Sequence, residues 1–377
     1  MYPVIAAFDH LIFAEAPKLI YWELTRACDL ACTHCRAEAI PARDPLELST
    51  EEAKALLAEL RAFGDPPPQL VMTGGDPLKR PDFFDLVRHG RSIGMPISVA
   101  PSGTPLLTPD VISALAENGV MSMSLSIDGA TAESHDRFRG VAGCFDTTMR
   151  AVHAVRAAGI PLQINTLVTP ETMRELPGVF RLLQDLGIMR WSLFYLIATG
   201  RGRALREIRP SEAEALHSWL YDILKTAPFA IKATEAPHFR RVAYMRMRLE
   251  GLDDASIRQT PIGRGFGIRD GNGIMFISHT GDVYPSGFLP VVAGNVRRQS
   301  PVALYRHSEI FTRIRDVDQY AGKCGLCEFR QICGGSRARA FAETDDPMGS
   351  DPLCAYRPEA ALVGATEGDR EWAPGGE

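Results

Sequence analysis

From residue 19 to about 200, short apolar and β-branched runs alternate with longer amphipathic stretches. The short runs are LIYWELT (19–25), QLVMTG (69–74), ISVAPSG (97–103), SMSLSID (122–128), LQINTLV (162–168) and RWSLFYLI (190–197). Each predicts a strand. Between them, STEEAKALLAELRAF offers Ser49 or Thr50 as cap and acids in its first turn, which predicts a helix. TPDVISALAENG places Thr108 as cap, Pro109 at the first helical position and Gly119 as terminator. TPETMRELPGVFRLLQDLG predicts a further helix, kinked or split at Pro177.

Strands that alternate with helices imply βαβ crossovers and a parallel sheet. Six units are visible, short of the eight that close a barrel. The expected fold class is α/β, a partial (β/α)6 TIM-like barrel with its chemistry at the C-terminal ends of the strands. After residue 200 the pattern changes to two helical segments, near 211–226 and 238–250. A glycine-rich segment with short β runs (263–287) and a cysteine-rich segment (324–354) follow. The expected organisation is an N-terminal extension (1–18), the barrel (19–205), a helical connector (206–260), a cysteine-rich domain (261–358) and a disordered Gly-, Pro- and acid-rich tail (359–377).

Composition narrows the function classes. Hydrophobic residues make up 45% of the 377 positions and charged residues 23%, as in an ordinary globular protein. A net charge of −5 gives no basic face for nucleic acid. No apolar run approaches the roughly 18 residues of a membrane span. The first residues carry Asp9 and Glu15 and no basic region, so no signal peptide is expected. The expected location is the cytoplasm, where thiols stay reduced. Seven of the eight cysteines fall in two clusters at opposite ends of the chain, which favours metal binding over disulfides.

The first cluster, Cys28, Cys32 and Cys35 in CDLACTHC, follows the first strand and so lies in the first βα loop. Three cysteines do not pair completely, and a closed tetrahedral zinc site wants a fourth ligand. A 4Fe–4S cluster is normally held by four thiolates. Three thiolates leave one iron open to a small chelating molecule. A zinc knob or scattered core thiols are the rival reading.

CDLACTHC resembles the C-x3-C-x2-C signature of the radical S-adenosylmethionine (SAM) superfamily. TGGDP, at the end of the second strand, is similar to that family's GGEP motif, with Asp76 in place of Glu. SIDG and Asn165 occupy family positions on the fourth and fifth strands. The resemblance covers roughly residues 19–200. It implies SAM bound at the open iron and split reductively to a 5′-deoxyadenosyl radical that takes hydrogen from substrate. Gly74 and Gly75 would let backbone approach SAM, with their carbonyls on its ammonium. Asp76 would assist and Pro77 would stiffen the exit. Ser102, Ser126 and Asp128 would meet the ribose or methionine moiety, or else cap helices. Arg139 would pair with the SAM carboxylate, or else form a surface ion pair. His34 would lie near the adenine. Cys144 reads as a small buried residue or loop thiol.

The second cluster is Cys324-x2-Cys327-x5-Cys333-x20-Cys354, with zinc as the rival reading. It resembles the SPASM/twitch extension of radical SAM enzymes, which usually carries two auxiliary clusters and seven cysteines. Here Ser286 and Arg337 stand at usual cysteine positions, and the 263–273 segment has none. One auxiliary 4Fe–4S cluster with four thiolates is therefore expected. Full ligation suits electron transfer, hence a net-oxidative reaction.

The C-terminal segment looks most like radical SAM enzymes of the alternative haem route and of haem d1 synthesis, which remodel tetrapyrrole propionates. The resemblance implies a tetrapyrrole substrate and a low-potential electron donor such as ferredoxin or flavodoxin. Arg201, Arg203, Arg206 and Arg209 follow the sixth strand and would suit a multi-carboxylate substrate, or else form a solvated loop. His279 would approach a haem iron, or else be structural. Two rivals remain. Maturation of a ribosomally made peptide is weakened because only 18 residues precede the first strand. A non-catalytic iron–sulfur sensor would need no TGGDP site.

Overall fold

A computed structural model describes residues 13–360. The predicted disordered tail lies almost wholly outside these residues, as does most of the N-terminal extension. Ten strands form one sheet: β1 (Leu19–Glu23), β2 (Gln69–Thr73), β3 (Ile97–Val99), β4 (Ser122–Ser126), β5 (Leu162–Val168), β6 (Arg190–Tyr195), β7 (Ala230–Thr234), β8 (Ile274–Ile277), β9 (Asp282–Tyr284) and β10 (Gly294–Asn295). Their order is β10-β9-β8-β1-β2-β3-β4-β5-β6-β7. From β8 through β1 to β7 every pair is parallel, while β9 and β10 add antiparallel. β7 and β8 end the parallel run without pairing, so the barrel is open.

All six expected strands are present. One parallel strand was not anticipated, and a second comes from the glycine-rich segment expected to hold short β runs. AIKAT (β7) lies inside the segment read as a helical connector, between the helices Pro210–Leu224 and Phe239–Leu249. Its Lys and Thr give it no apolar run; pairing along β6 makes it a strand. β8, from the glycine-rich segment, adds to the other edge by pairing with β1.

The helices follow their local signals. Ser49 caps Thr50–Arg61: Glu52 N–H donates to Ser49 Oγ (3.2 Å) and Ser49 N–H to Glu52 Oε2 (2.8 Å). Ser49→Ala should cost about 1 kcal/mol of stability, read as a lower urea midpoint at unchanged slope. The helix anticipated around Pro177 is two, Pro170–Met173 and Leu176–Gln184, with Pro177 in the first turn of the second. Pro has no N–H to donate, so it is tolerated there and not in a helix interior.

The strands show their two faces by alternation. Ile20, Trp22, Leu70, Met72, Met123 and Leu125 are buried under the helices. The opposite face carries Gln69, Ser122, Ser124, Ser126, Gln163 and Asn165, which line an interior cavity. A closed barrel fills its interior with layers of branched apolar side chains. Here the inward positions mix these polar side chains with Leu19, Tyr21, Val71, Leu167 and Phe194, and space remains.

Candidate active site

The cavity measures about 380 Å³, within the range of small-molecule sites. At one end it is bounded by His34, Asp128 and Arg139, next to the first three cysteines. At the other it is bounded by Asp270, Gly335 and Ser336, next to Cys333.

Cys28 and Cys32 are buried and Cys35 is partly buried. Their loop leaves β1 and is pinned by backbone: Cys28 N–H donates to Ile40 O (2.9 Å), and Arg26 Nε to Ala37 O (2.7 Å). Leu30 N–H points at Cys28 Sγ and Ala39 N–H at Cys35 Sγ, each at 3.4 Å. Backbone N–H groups aimed at sulfur favour thiolates and suit cluster ligands. Burial raises the Cys28 thiol, so it loses its proton when a metal takes the sulfur. Cys144 is buried against Cys28, Leu30 and Cys32, as a small core residue.

The glycines of TGGDP have a role that the sequence reading missed. A Cβ on Gly74 would lie 2.5 Å from Thr25 O, and one on Gly75 2.5 Å from Ala27 O. Gly75 N–H donates to Thr25 O and Asp76 N–H to Ala27 O, both at 2.7 Å. The glycines therefore dock the backbone at the start of the cysteine loop. The Asp76 side chain is fully buried, accepting from Leu78 N–H (3.2 Å) and Thr104 Oγ1 (2.8 Å). Burial raises its pKa. It caps the turn Pro77–Lys79 and does not line the cavity. Ser102 Oγ donates to Gly75 O (2.8 Å) and lies 3.4 Å from Cys28 Sγ.

Arg139 is a buried partner and not a surface ion pair. Its Nη2 lies 2.5 Å from Asp128 Oδ2, and its Nη1 3.6 Å from Cys32 Sγ. Asp128 Oδ1 accepts from Leu167 N–H (2.7 Å). Burial alone would raise the Asp128 carboxyl; the Arg139 guanidinium outweighs it and holds the group below the usual range. His34 stacks on Phe138 at 4.8 Å, and burial beside Arg139 pushes its ring down to about 4. A neutral ring is suited to stacking. Ser126 and Asn165 face each other in register on β4 and β5 and line the same wall.

The expected arginine group is dispersed. Arg201 lies against the cysteine loop, its N–H donating to Cys35 O (3.1 Å). Arg203 and Arg206 are exposed and outside the cavity lining, and Arg209 pairs with Glu212 at 3.0 Å. His279 is structural, with Nδ1 2.8 Å from Glu23 and Nε2 3.3 Å from Asp44.

Cys324, Cys327, Cys333 and Cys354 converge on one small cavity of about 20 Å³. Asp351 N–H approaches Cys324 Sγ at 3.3 Å, and Gly335 N–H approaches Cys333 Sγ at 3.4 Å. Burial pushes the Cys327 thiol up to about 12 and raises Cys333 and Cys354. Arg337 is fully buried, with Nη2 3.4 Å from Cys324 Sγ and its guanidinium 4.5 Å over the Tyr320 ring. Among the described residues no group of three His, Cys, Asp or Glu side chains is arranged around a single metal ion. A tetrahedral zinc site needs its sulfurs about 2.3 Å from one point.

The radical SAM superfamily profile matches residues 22–183. AdoMet-dependent heme synthase of Methanosarcina barkeri is 39% identical over 92% of this chain and 99% of its own length. The chain belongs to the radical SAM superfamily. A second AdoMet-dependent heme synthase, from Nitratidesulfovibrio vulgaris, is 42% identical over 90% of this chain and 93% of its own. The radical SAM fold is shared with Streptococcus suis SuiB bound to S-adenosylmethionine, at a TM-score of 0.70 and 16% identity, over 90% of this chain and 77% of that one. Radical SAM enzymes carry a 4Fe–4S cluster and SAM, and they need a reductant and a substrate. No helix among the described residues is long and apolar enough to cross a membrane.

Proposed function

We propose that this radical SAM enzyme oxidatively decarboxylates propionate side chains of a tetrapyrrole, with Cys28, Cys32 and Cys35 holding the SAM-binding cluster. Cys324, Cys327, Cys333 and Cys354 would hold one auxiliary cluster. The observation that carries the reading is a single cavity walled by residues beside both cysteine groups. A bound cluster and SAM supply one-electron chemistry and hydrogen-atom abstraction. Each propionate loses one hydrogen atom, carbon dioxide and one electron to become a vinyl group. A second redox site beside the cavity gives that electron somewhere to go. The relatives named AdoMet-dependent heme synthase support this substrate class.

The chain's own share is placement and exclusion of water. His34, Ser126, Asp128, Arg139 and Asn165 line the wall nearest the three cysteines and would hold SAM. Gly74, Gly75, Asp76, Pro77 and Ser102 act behind them, fixing the cysteine loop and its glycine partner. Arg337 sets a guanidinium beside Cys324 Sγ and would tune the auxiliary site. The reductant would be a low-potential ferredoxin or flavodoxin, in a reducing cytoplasm.

Anaerobically reconstituted protein given dithionite, SAM and iron-coproporphyrin should release 5′-deoxyadenosine and yield a porphyrin lighter by two carbon dioxide molecules and four hydrogen atoms on mass spectrometry. Release of deoxyadenosine with iron-coproporphyrin left unchanged would overturn the tetrapyrrole assignment.

A further inference from the structure

The cavity floor holds a group of cations that are not paired with carboxylates. Arg190 opens β6, Lys232 is the third residue of β7, and Arg240 lies in the helix that follows. All three line the cavity. Lys232 pairs in register with Ser192, two residues along β6 from Arg190. Arg190 stands at the N-terminal end of β6, away from the mouth that carries the cysteine loop, and Lys232 stands midway along β7.

Lys232 and Arg190 have no carboxylate partner, and the charged group nearest in effect to Arg240 is the Cys333 sulfur. No hydrogen bond or ion pair to Lys232 is present among the described residues. Arg240 Nη1 is buried without a partner. Arg190 Nη1 reaches only the uncharged Gln163 Oε1, at 3.2 Å. Burial, reinforced by Arg190 and Arg240, pushes the Lys232 amine down to about 8. The carboxyl whose charge reaches Lys232 is Glu235. Burial and the neighbouring Asp270 raise Glu235 to about 8, so it is largely neutral at pH 7. The other cavity cations are occupied: Arg36 with Glu23 (2.6 Å), Arg139 with Asp128, and Arg269 with the Tyr320 hydroxyl (2.7 Å). Like charges gathered in one cavity without a paired carboxylate are costly, and an incoming carboxylate would relieve that cost through charge-assisted hydrogen bonds.

We infer that Lys232, Arg190 and Arg240 form a binding site for a carboxylate of the substrate on the cavity floor. The assignment to a tetrapyrrole carboxylate rests on the reading above; the existence of an anion site does not. Anchoring one acid group there leaves the rest of the molecule directed at the mouth.

The test uses full-length reconstituted protein and three ligands: citrate, inorganic phosphate and iron-coproporphyrin. Citrate should raise the wild-type melting temperature. Lys232→Met, which removes a buried charge, should melt higher than wild type in buffer, hold the same iron and show no citrate shift. Lys232→Arg should restore the shift. Iron-coproporphyrin, followed by absorbance, should bind Lys232→Met about ten- to a hundredfold more weakly than wild type. Its tetramethyl ester should bind wild type with similar weakness. Equal citrate shifts in both proteins, or unchanged porphyrin affinity in Lys232→Met, would overturn the site. A Lys232-dependent shift larger with phosphate than with citrate would overturn the carboxylate assignment. A Lys232-dependent citrate shift in a protein that binds no porphyrin would uphold the anion site and sink the tetrapyrrole reading instead.

Discussion

Replacing Cys28, Cys32 and Cys35 together by alanine should abolish SAM cleavage and lower the iron content from about eight to about four per chain. The remaining iron should be that of the C-terminal site, and electron paramagnetic resonance should show one reduced cluster where wild type shows two. The variant should still fold. The loop is held by Cys28 N–H on Ile40 O, by Arg26 on the carbonyls of Ala37 and Glu38, and by the glycines beneath it, none of which needs a sulfur. Alanine keeps the small apolar contact of the buried thiols with Leu30 and Cys144. Full iron retention, or deoxyadenosine release at the wild-type rate, would remove the basis for the SAM-binding assignment.

Gly75→Ala should destabilise the protein by about 2–4 kcal/mol and also cost iron at the first site. The added methyl carbon would sit 2.5 Å from Ala27 O, 2.6 Å from Arg26 O and 2.8 Å from Ala27 C. All three are backbone atoms, so no side chain can swing away. Relief requires moving the strand end or the cysteine loop. Either motion stretches the 2.7 Å bonds from Gly75 and Asp76 N–H to Thr25 and Ala27 carbonyls. Gly265→Ala is the control: no atom lies within 4 Å of its added carbon, so it should be nearly neutral. Urea denaturation and iron quantitation on both variants check this. Equal behaviour of the two would mean that the close approach of TGGDP to the loop does not exist in solution.

The two cysteine groups show how far spacing alone reaches. C-x3-C-x2-C after a strand and C-x2-C-x5-C in the last sixty residues were legible because ligands close in sequence are necessarily close in space. The odd count of three already implied an open coordination position. Cys354, twenty-one residues beyond Cys333, joins its set only through the folded C-terminal segment around a shared cavity. Asp76 went the other way. In sequence it aligned with a motif that touches SAM. In the structure its carboxyl is turned inward to Thr104 and Leu78, and its backbone carries the contact with the loop.

The arginines make the same contrast. Four guanidiniums within nine residues suggested a substrate clamp, yet Arg203 and Arg206 face solvent and Arg209 serves a helix start. The cations that face the cavity include those at 190, 232 and 240, on two strands and a helix. A faint signal existed. Lys232 interrupts a short run that alternation would otherwise read as a strand, and the SMSLS pattern announces a polar inner face.

By itself the sequence determined the alternation of strands and helices, the caps, the split at Pro177 and both sets of thiols, because periods of two and 3.6 residues and short ligand spacings are local properties. Only the tertiary structure decided that AIKAT becomes β7, that β8 closes on β1, that Arg139 is tied to Asp128, and that three distant cations meet beneath one cavity. Those outcomes depend on which surfaces pack and which hydrogen bonds remain to be satisfied once the chain has collapsed, and no window of neighbouring residues contains that information.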